Sequence, residues 1–327
     1  MTISVENKTT YKSYLDALAF PGQGRFETAV EQYFHAEATI NVVHPFNKIS
    51  GSADYLKELL QPLMQSFQGL YRRDYILMAG SYKGEDWVSS TGYYAGKFVS
   101  DWLGIKASGN LAYLRVGEFH KMQNSKIIES YIYYDIPEFM MAYGQWPLIQ
   151  SPGYCGFLPG PATSDGINLD PSDSEVSMKT LSIVEEMLSK LNTPDEAWRP
   201  FWHENMLWYG PAAFGSYIGV EDFSGFQVPF ENAFKGWSGG FSKTSPTRHF
   251  TRYGEGDYAC SGGWPSLSGT HVKPYLGLEP TNRMITMRVC DWWRRDGDLL
   301  VENWVFVDIP DLLQQLGYDL FAELKKI

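Results

Sequence analysis

The residues best placed to do chemistry close a strand-like run near the C-terminus. From Leu299 to Asp308 the sequence reads LLVENWVFVD. Side chains alternate along a strand, so Glu302, Trp304, Phe306 and Asp308 share one face, two carboxylates on an aromatic surface. The arrangement occurs once before, as Glu129, Tyr131, Tyr133 and Asp135. If that face lines a pocket, each aspartate is partly desolvated and its pKa rises. A carboxylate poised in this way suits removal of a proton from carbon beside a carbonyl. A second role competes with the first. In both places the aspartate opens Asp-Ile-Pro, followed by Asp311 or Glu138. That pattern also reads as a strand end and helix N-cap, with proline at the first helical position. The two roles pull against each other, because a capping aspartate is best kept ionised.

Other chemistry is sparser. His271 stands in Ser268-Gly269-Thr270-His271, just before Tyr275-Leu276-Gly277. It is either a second acid/base or hydrogen-bond donor, or a satisfied structural histidine. Its counterpart in the first half of the chain is Phe98. His35 and His203 recur at predicted helix ends and read as structural. Gly262-Gly263-Trp264 reads as a strand bulge that turns an aromatic inward, which makes Trp264 a pocket residue. Metal-ligand spacings such as His-Glu-x-x-His or Cys-x-x-Cys do not occur, and no metal is expected. Gly22-x-Gly24 lacks the preceding strand and third glycine of a dinucleotide site, and no cofactor is implied.

The elements that must position these residues come in two sets. Residues 112–144 and 285–317 align without a gap. Arg115/Arg288, Val116/Val289, Glu129/Glu302, Asp135/Asp308, Pro137/Pro310 and Gly144/Gly317 are identical pairs, and Glu118/Asp291, Phe119/Trp292 and Tyr131/Trp304 keep type. Weaker likeness runs upstream, with Gly51 through Phe67 resembling Gly219 through Phe234. Two copies of one domain are the simplest reading: residues 1–145, a Pro/Gly-rich linker at 146–173, and residues 174–327. The linker also carries Trp146, Ile149, Tyr154 and Phe157, so it is expected to pack along a domain surface.

Each copy reads as helices first. A capped helix is predicted from Ser172/Ser174 onward, and another from Thr193-Pro194-Asp195-Glu196. Phe26, Val30, Tyr33 and Phe34 mark a helix in the first copy. Further helices follow Gly51 and Gly219. Strands then dominate, with Asp296-Gly297 a strong hairpin signal and Gln123-Asn124-Ser125 a weaker one. This order predicts an α+β fold: tandem cone-shaped α+β barrel domains, each a curved antiparallel sheet wrapped around its N-terminal helices.

At this point the residues reach a family. Pro280-Thr281-Asn282-Arg283, then Arg288, Asp291, Trp292, Arg294, Asp296-Gly297, Glu302, Trp304 and Asp308, closing on Leu312 through Gly317, resemble the SnoaL-like polyketide cyclases of the nuclear transport factor 2-like superfamily. The resemblance is good over about 195–320 and fainter over about 20–145. It implies a cofactor-independent intramolecular aldol closure, or a related isomerisation or dehydration, on a hydrophobic carbonyl-containing ligand. The aspartate closing the last long strand would be the general acid/base, which matches Asp308 and, by repeat, Asp135; a histidine near the pocket mouth matches His271. The first copy departs from the pattern, with no Pro-Thr, no Asp-Gly turn, and His120 where the second has Trp293. A non-catalytic small-molecule-binding protein of the same fold is the alternative, and a structural dimerisation module is a third reading.

Bulk composition bounds these readings. Of 327 residues, 44% are hydrophobic and 20% charged, which is globular. Aromatics reach 16%, with 11 Trp, 21 Tyr and 19 Phe, enough to line pockets as well as fill cores. A net charge of −11 disfavours nucleic acid or an anionic membrane surface as partner. Three scattered cysteines argue against a disulfide framework. The polar start and the lack of an apolar run of about 18 residues predict a cytoplasmic protein. The copies are expected to pair as an internal pseudo-dimer, with homo-oligomerisation open.

Overall fold

The computed structural model describes all residues except 1–2, 21–24, 192–194, 240–244, 246 and 327. By its contacts the chain divides into two units. One takes Met1–Trp146, Pro159–Pro171 and Leu320–Ile327; the other takes Pro147–Leu158 and Ser172–Asp319. None of the described helices is long and apolar enough to cross a membrane.

The first unit opens with helices α1 (Ile3–Leu18) and α2 (Arg25–Tyr33). Strands β1 (Phe34–Val42) and β2 (Asn47–Ser50) follow, then helix α3 over residues 52–66, which passes through one π-helical turn. Long strands β3 (Phe67–Tyr82), β4 (Glu85–Phe98), β5 (Leu111–Gln123) and β6 (Lys126–Tyr134) complete the sheet, and α4 (Ile136–Ala142) leaves it. The strand order is β2-β1-β6-β5-β4-β3. Segment 159–171 lies on this unit: Leu77 N–H donates to Gly166 O at 2.8 Å, and Lys8 Nζ to Asn168 O at 2.7 Å.

The second unit repeats the plan. Helix α5 (Ser174–Ser189) leads through a short 3₁₀ turn, Arg199–Phe201, into β7 (Trp202–Tyr209) and β8 (Tyr217–Ile218). Helix α6 (Gly219–Ala233) precedes β9 (Phe234–Gly239), β10 (His249–Glu255), β11 (Tyr258–His271), β12 (Met284–Asp296) and β13 (Leu299–Val307), and α7 (Ile309–Gln315) leaves the sheet as α4 does. The order is β10-β11-β12-β13-β7-β8, with β9 also on β11. The final helix, α8 (Leu320–Leu324), belongs to the first unit.

The architecture is α+β, two curled sheets each preceded by helices. The sheets are mixed rather than purely antiparallel: β1 runs parallel to β6, and β13 to β7. A strand that precedes the meander and joins its last member has to cross over, which sets the parallel sense. Helix α5 begins after Asp173, whose carboxylate accepts from Glu175 N at 2.7 Å and Val176 N at 3.3 Å. Ser174 is already inside the helix, so neither predicted serine caps it. Thr193 and Pro194 lie outside the described residues, and the described stretch after them forms only the 3₁₀ turn. Glu196, expected in the first turn of a helix there, instead binds Arg199 at 2.8 Å and the Ser224 hydroxyl. Both hairpins close with two-residue turns, Gly297-Asp298 and Asn124-Ser125, the latter with φ of 50° and 59°.

Candidate functional site

A cavity of about 630 Å³ opens inside the second unit. Its walls come from helices and strands of this unit. Helix α6 contributes Phe223, Phe226 and Phe230, strand β7 Trp202 and Trp208, and β9 Trp237. The rings pack on one another, Trp208 on Phe223 at 5.0 Å and Phe230 on Trp237 at 5.1 Å. From the sheet, β12 presents Met287, Val289, Asp291 and Trp293, and β13 presents Asn303, Val305 and Val307. These pair across the strands as Asp291 with Val305 and Trp293 with Asn303.

The cavity therefore looks onto the odd-numbered face of β13, not the even-numbered face that carries Asp308. None of the sequence-predicted pocket residues of this unit lines it. Trp304 packs on Tyr209 at 5.2 Å, and Phe306 meets Trp292 at 6.0 Å. Glu302 accepts from Arg294 Nε at 2.6 Å. Trp264 lies under the Arg288 guanidinium, 4.5 Å from it, rather than turning inward. Asp308 caps α7, accepting from Asp311 N at 3.1 Å, and pairs with Arg288 Nη1 at 2.8 Å. It does both on the face away from the cavity. Side chains alternate along β13 as expected, and this cavity meets the other face. Strand β13 is buried on both faces from Glu302 onward, so polarity does not mark which face is concave.

His271 is also walled in. Its ring stacks on Phe234 at 5.2 Å and its Nδ1 accepts from Thr281 N at 3.2 Å. Burial lowers its pKa. It ties the end of β11 to the Pro-Thr segment instead of facing a ligand. In the first unit, Asp135 caps α4 through Glu138 N at 3.1 Å and lies 3.6 Å from Arg115. Tyr131 donates to Glu129 at 2.7 Å, and Tyr133 is fully buried. His35 and His203 accept from Glu37 N and Asn205 N, the same turn-stabilising bond in each copy.

The group that sequence reasoning passed over is Asp291. Burial pushes its carboxyl up to about 8, against a hydrogen bond from Asn303 that pulls the other way. Among the described residues no cation forms a salt bridge with it. The signal was present in the repeat as the pair Glu118/Asp291. In the first unit that position is neutralised. Glu118 lies 2.6 Å from Arg72 Nη1 and accepts from Tyr11 Oη at 3.0 Å and His120 Nε2 at 3.1 Å. Burial alone would raise its pKa; the Arg72 charge and the His120 hydrogen bond instead hold it at about 2. Asp74 shares the same arginine at 2.8 Å, yet burial outweighs it there and raises that carboxyl.

Besides the serines Ser189, Ser238, Ser261 and Ser266, the polar side chains of the second-unit cavity are Gln227, Glu231, His249, Asp291 and Asn303. The indole N–H groups of Trp202, Trp237 and Trp293 are buried with no acceptor among the described residues. An aromatic box with two carboxyls, Asp291 and a Glu231 that accepts from Gln227 at 2.8 Å, can hold an apolar molecule by its rings and address its oxygens.

No protein-family model matches the sequence, and neither does any curated protein. Solved structures do. A protein assigned as a SnoaL-like polyketide cyclase from Jannaschia sp. CCS1 is 14% identical, covering 47% of this chain and 99% of its own, with a TM-score of 0.38. TsrD from Streptomyces laurentii is 20% identical over 43% of this chain and 96% of its own, TM-score 0.36. An NTF2-like protein from Burkholderia xenovorans LB400 is 13% identical over 42% and 95%, TM-score 0.33. Each is spanned almost whole by less than half of this chain. The chain is thus similar to proteins described as SnoaL-like and NTF2-like.

Proposed function

We propose that the second unit is an enzyme of proton transfer beside a carbonyl, with Asp291 as its general acid/base. The substrate is a hydrophobic carbonyl compound. The ionised Asp291 carboxylate takes the α-proton, breaking C–H and forming O–H as the electron pair moves to the carbonyl oxygen. The enolate then either attacks a second carbonyl in the same molecule, closing a ring, or regains the proton at another carbon. Asp291 returns the proton in both cases.

The observation behind this reading is the Asp291 carboxyl, raised to about 8 and without a salt-bridging cation among the described residues, in an aromatic cavity. A general acid/base works best when its pKa lies near the working pH. Aromatic walls fix the substrate against that carboxyl, which supplies the proximity part of the rate.

The test uses 2-tetralone, an apolar ketone with exchangeable α-protons. Deuterium incorporation is followed by NMR and binding by quenching of the cavity tryptophans. The wild-type protein is expected to speed exchange over buffer, and Asp291→Asn to slow it by about 10²–10⁴-fold with binding retained. Equal exchange in the two proteins would remove Asp291 from the step, and none in either would leave the cavity a binding site without catalysis.

A further inference from the structure

Strand β11 breaks register against β12 between Gly263 and Leu267. Bulges re-aim side chains, and this one has a definite target. Gly263 stands opposite His249 of β10. Ser266, thrown out of register by the bulge, brings its Oγ to 3.0 Å from His249 Nε2. A Cβ on Gly263 would lie 2.5 Å from Ser266 Cα and Cβ, so only glycine permits this approach. Both partners are 6% exposed, and both line the cavity that Asp291 lines. Ser266 is anchored in turn, its carbonyl accepting from the Thr247 hydroxyl at 2.9 Å.

We propose that Ser266 is the hydrogen-bond donor to the substrate's carbonyl oxygen, and that His249 positions it by donating Nε2–H to Ser266 Oγ. This rests on the reading of the cavity as a substrate site. The serine proton is then free to point at the substrate. Burial, helped by the nearby Arg252 charge, holds His249 neutral by lowering its pKa to about 3. In the tautomer that donates Nε2–H, that nitrogen has no lone pair to take the serine proton, and an imidazole whose pKa is lowered to about 3 is a weak base. The pair is therefore suited to polarising a carbonyl and unsuited to making serine a nucleophile.

The spacing agrees with one substrate reaching both groups. Ser266 lies along the sheet level with β12 residues 287–289, because Gly263 pairs with Val289 and Leu267 with Met287. Asp291 is two to four residues further, on the order of 7–14 Å at the rise of a strand. A carbonyl oxygen, its carbon and an α-C–H, with a hydrogen-bond contact at each end, span about 8 Å. No proton leaves Ser266 in the step; it stabilises charge that develops on oxygen as Asp291 removes the α-proton.

The experiment compares 2-tetralone with tetralin, the same rings without the oxygen, in titrations followed by tryptophan fluorescence. Exchange of 2-tetralone is measured alongside. The wild-type protein is expected to prefer the ketone. Ser266→Ala should erase that preference, leave tetralin affinity unchanged and cut the exchange kcat by about tenfold or more. Ser266→Thr should restore both, and His249→Leu should behave as Ser266→Ala while His249→Gln keeps part of the effect. Near-ultraviolet circular dichroism of each variant separates loss of fold from loss of function. A wild-type protein with no ketone preference, or a Ser266→Ala protein that keeps it, overturns the proposal. Loss of exchange in Asp291→Asn but not in Ser266→Ala would remove the serine role and leave the acid/base reading. A ketone preference that depends on Ser266, without exchange in the wild type, would do the reverse.

Discussion

Asp291 carries opposite consequences for rate and for stability. As a base it must be ionised, so exchange of 2-tetralone should rise with pH and level off above about 8, where the carboxyl has titrated. A profile that falls across that range would make the protonated form the working one. Stability runs the other way. An unfolded aspartate titrates near 3.9, while the folded one is raised, so the folded state binds the proton more tightly between those values. Stability is therefore lost as pH climbs from about 4 toward 8. Asp291→Asn removes the loss. It should stabilise the protein above pH 8 by on the order of 1–3 kcal/mol, with the gain fading toward pH 4, as urea melts at several pH values would show. Asp308→Asn should look different. Asparagine still caps α7, but Arg288 loses its close anion and keeps Asp311 at 3.5 Å, so a loss of about 1 kcal/mol is expected with 2-tetralone affinity unchanged. At this scale the sequence was only half legible. Alternation along β13 told which residues travel together, and Asp291 was visible as the partner of Glu118. What alternation does not carry is the sign of curvature, and a strand with apolar residues on both faces gives no other cue.

Elements were easier to read than residues. The Gly51 and Gly219 helices, the Asp296-Gly297 hairpin and the final capped helices all rest on local chemistry, which a single sequence contains. The parallel β1–β6 and β7–β13 pairs rest on contacts between distant segments, which it does not. Two elements offer direct tests. Gly263→Ala pushes a methyl into Ser266, so ketone preference should be lost together with on the order of 1–3 kcal/mol of stability. In the first unit, strand β3 delivers Arg72 to two carboxylates. Arg72→Met would leave Glu118 and Asp74 buried without their cation, at a cost of about 3–5 kcal/mol by chemical denaturation. An unchanged midpoint would mean that the carboxylates take up protons as readily as they held the arginine.

Over the whole molecule, the two copies share one plan and differ in its interior. The same interior position holds Glu118 in one copy and Asp291 in the other. The first is locked by Arg72, Tyr11 and His120, and the second faces a cavity. Hydrogen exchange should report this directly. Saturating 2-tetralone should slow amide exchange in β10–β13 and leave β3–β6 untouched. Gap-free alignment of the two copies made the fold legible before any single motif did, since two degraded signals at one spacing support each other.

Helix α8 belongs to the first unit. Leu320 and Leu324 are 1% and 5% exposed, and Phe321 packs on His44 at 5.7 Å. Yet these residues come after all the strands of the second unit. A ribosome delivers the chain from its N-terminus, so the first unit waits for α8 until all the strands of the second unit have been made. Until then the surface that α8 covers, around Gly104 and His44, stays open to water and to neighbouring chains. Birth order and completion order are reversed in this protein, and a nascent chain halted within the second copy carries an unfinished first one.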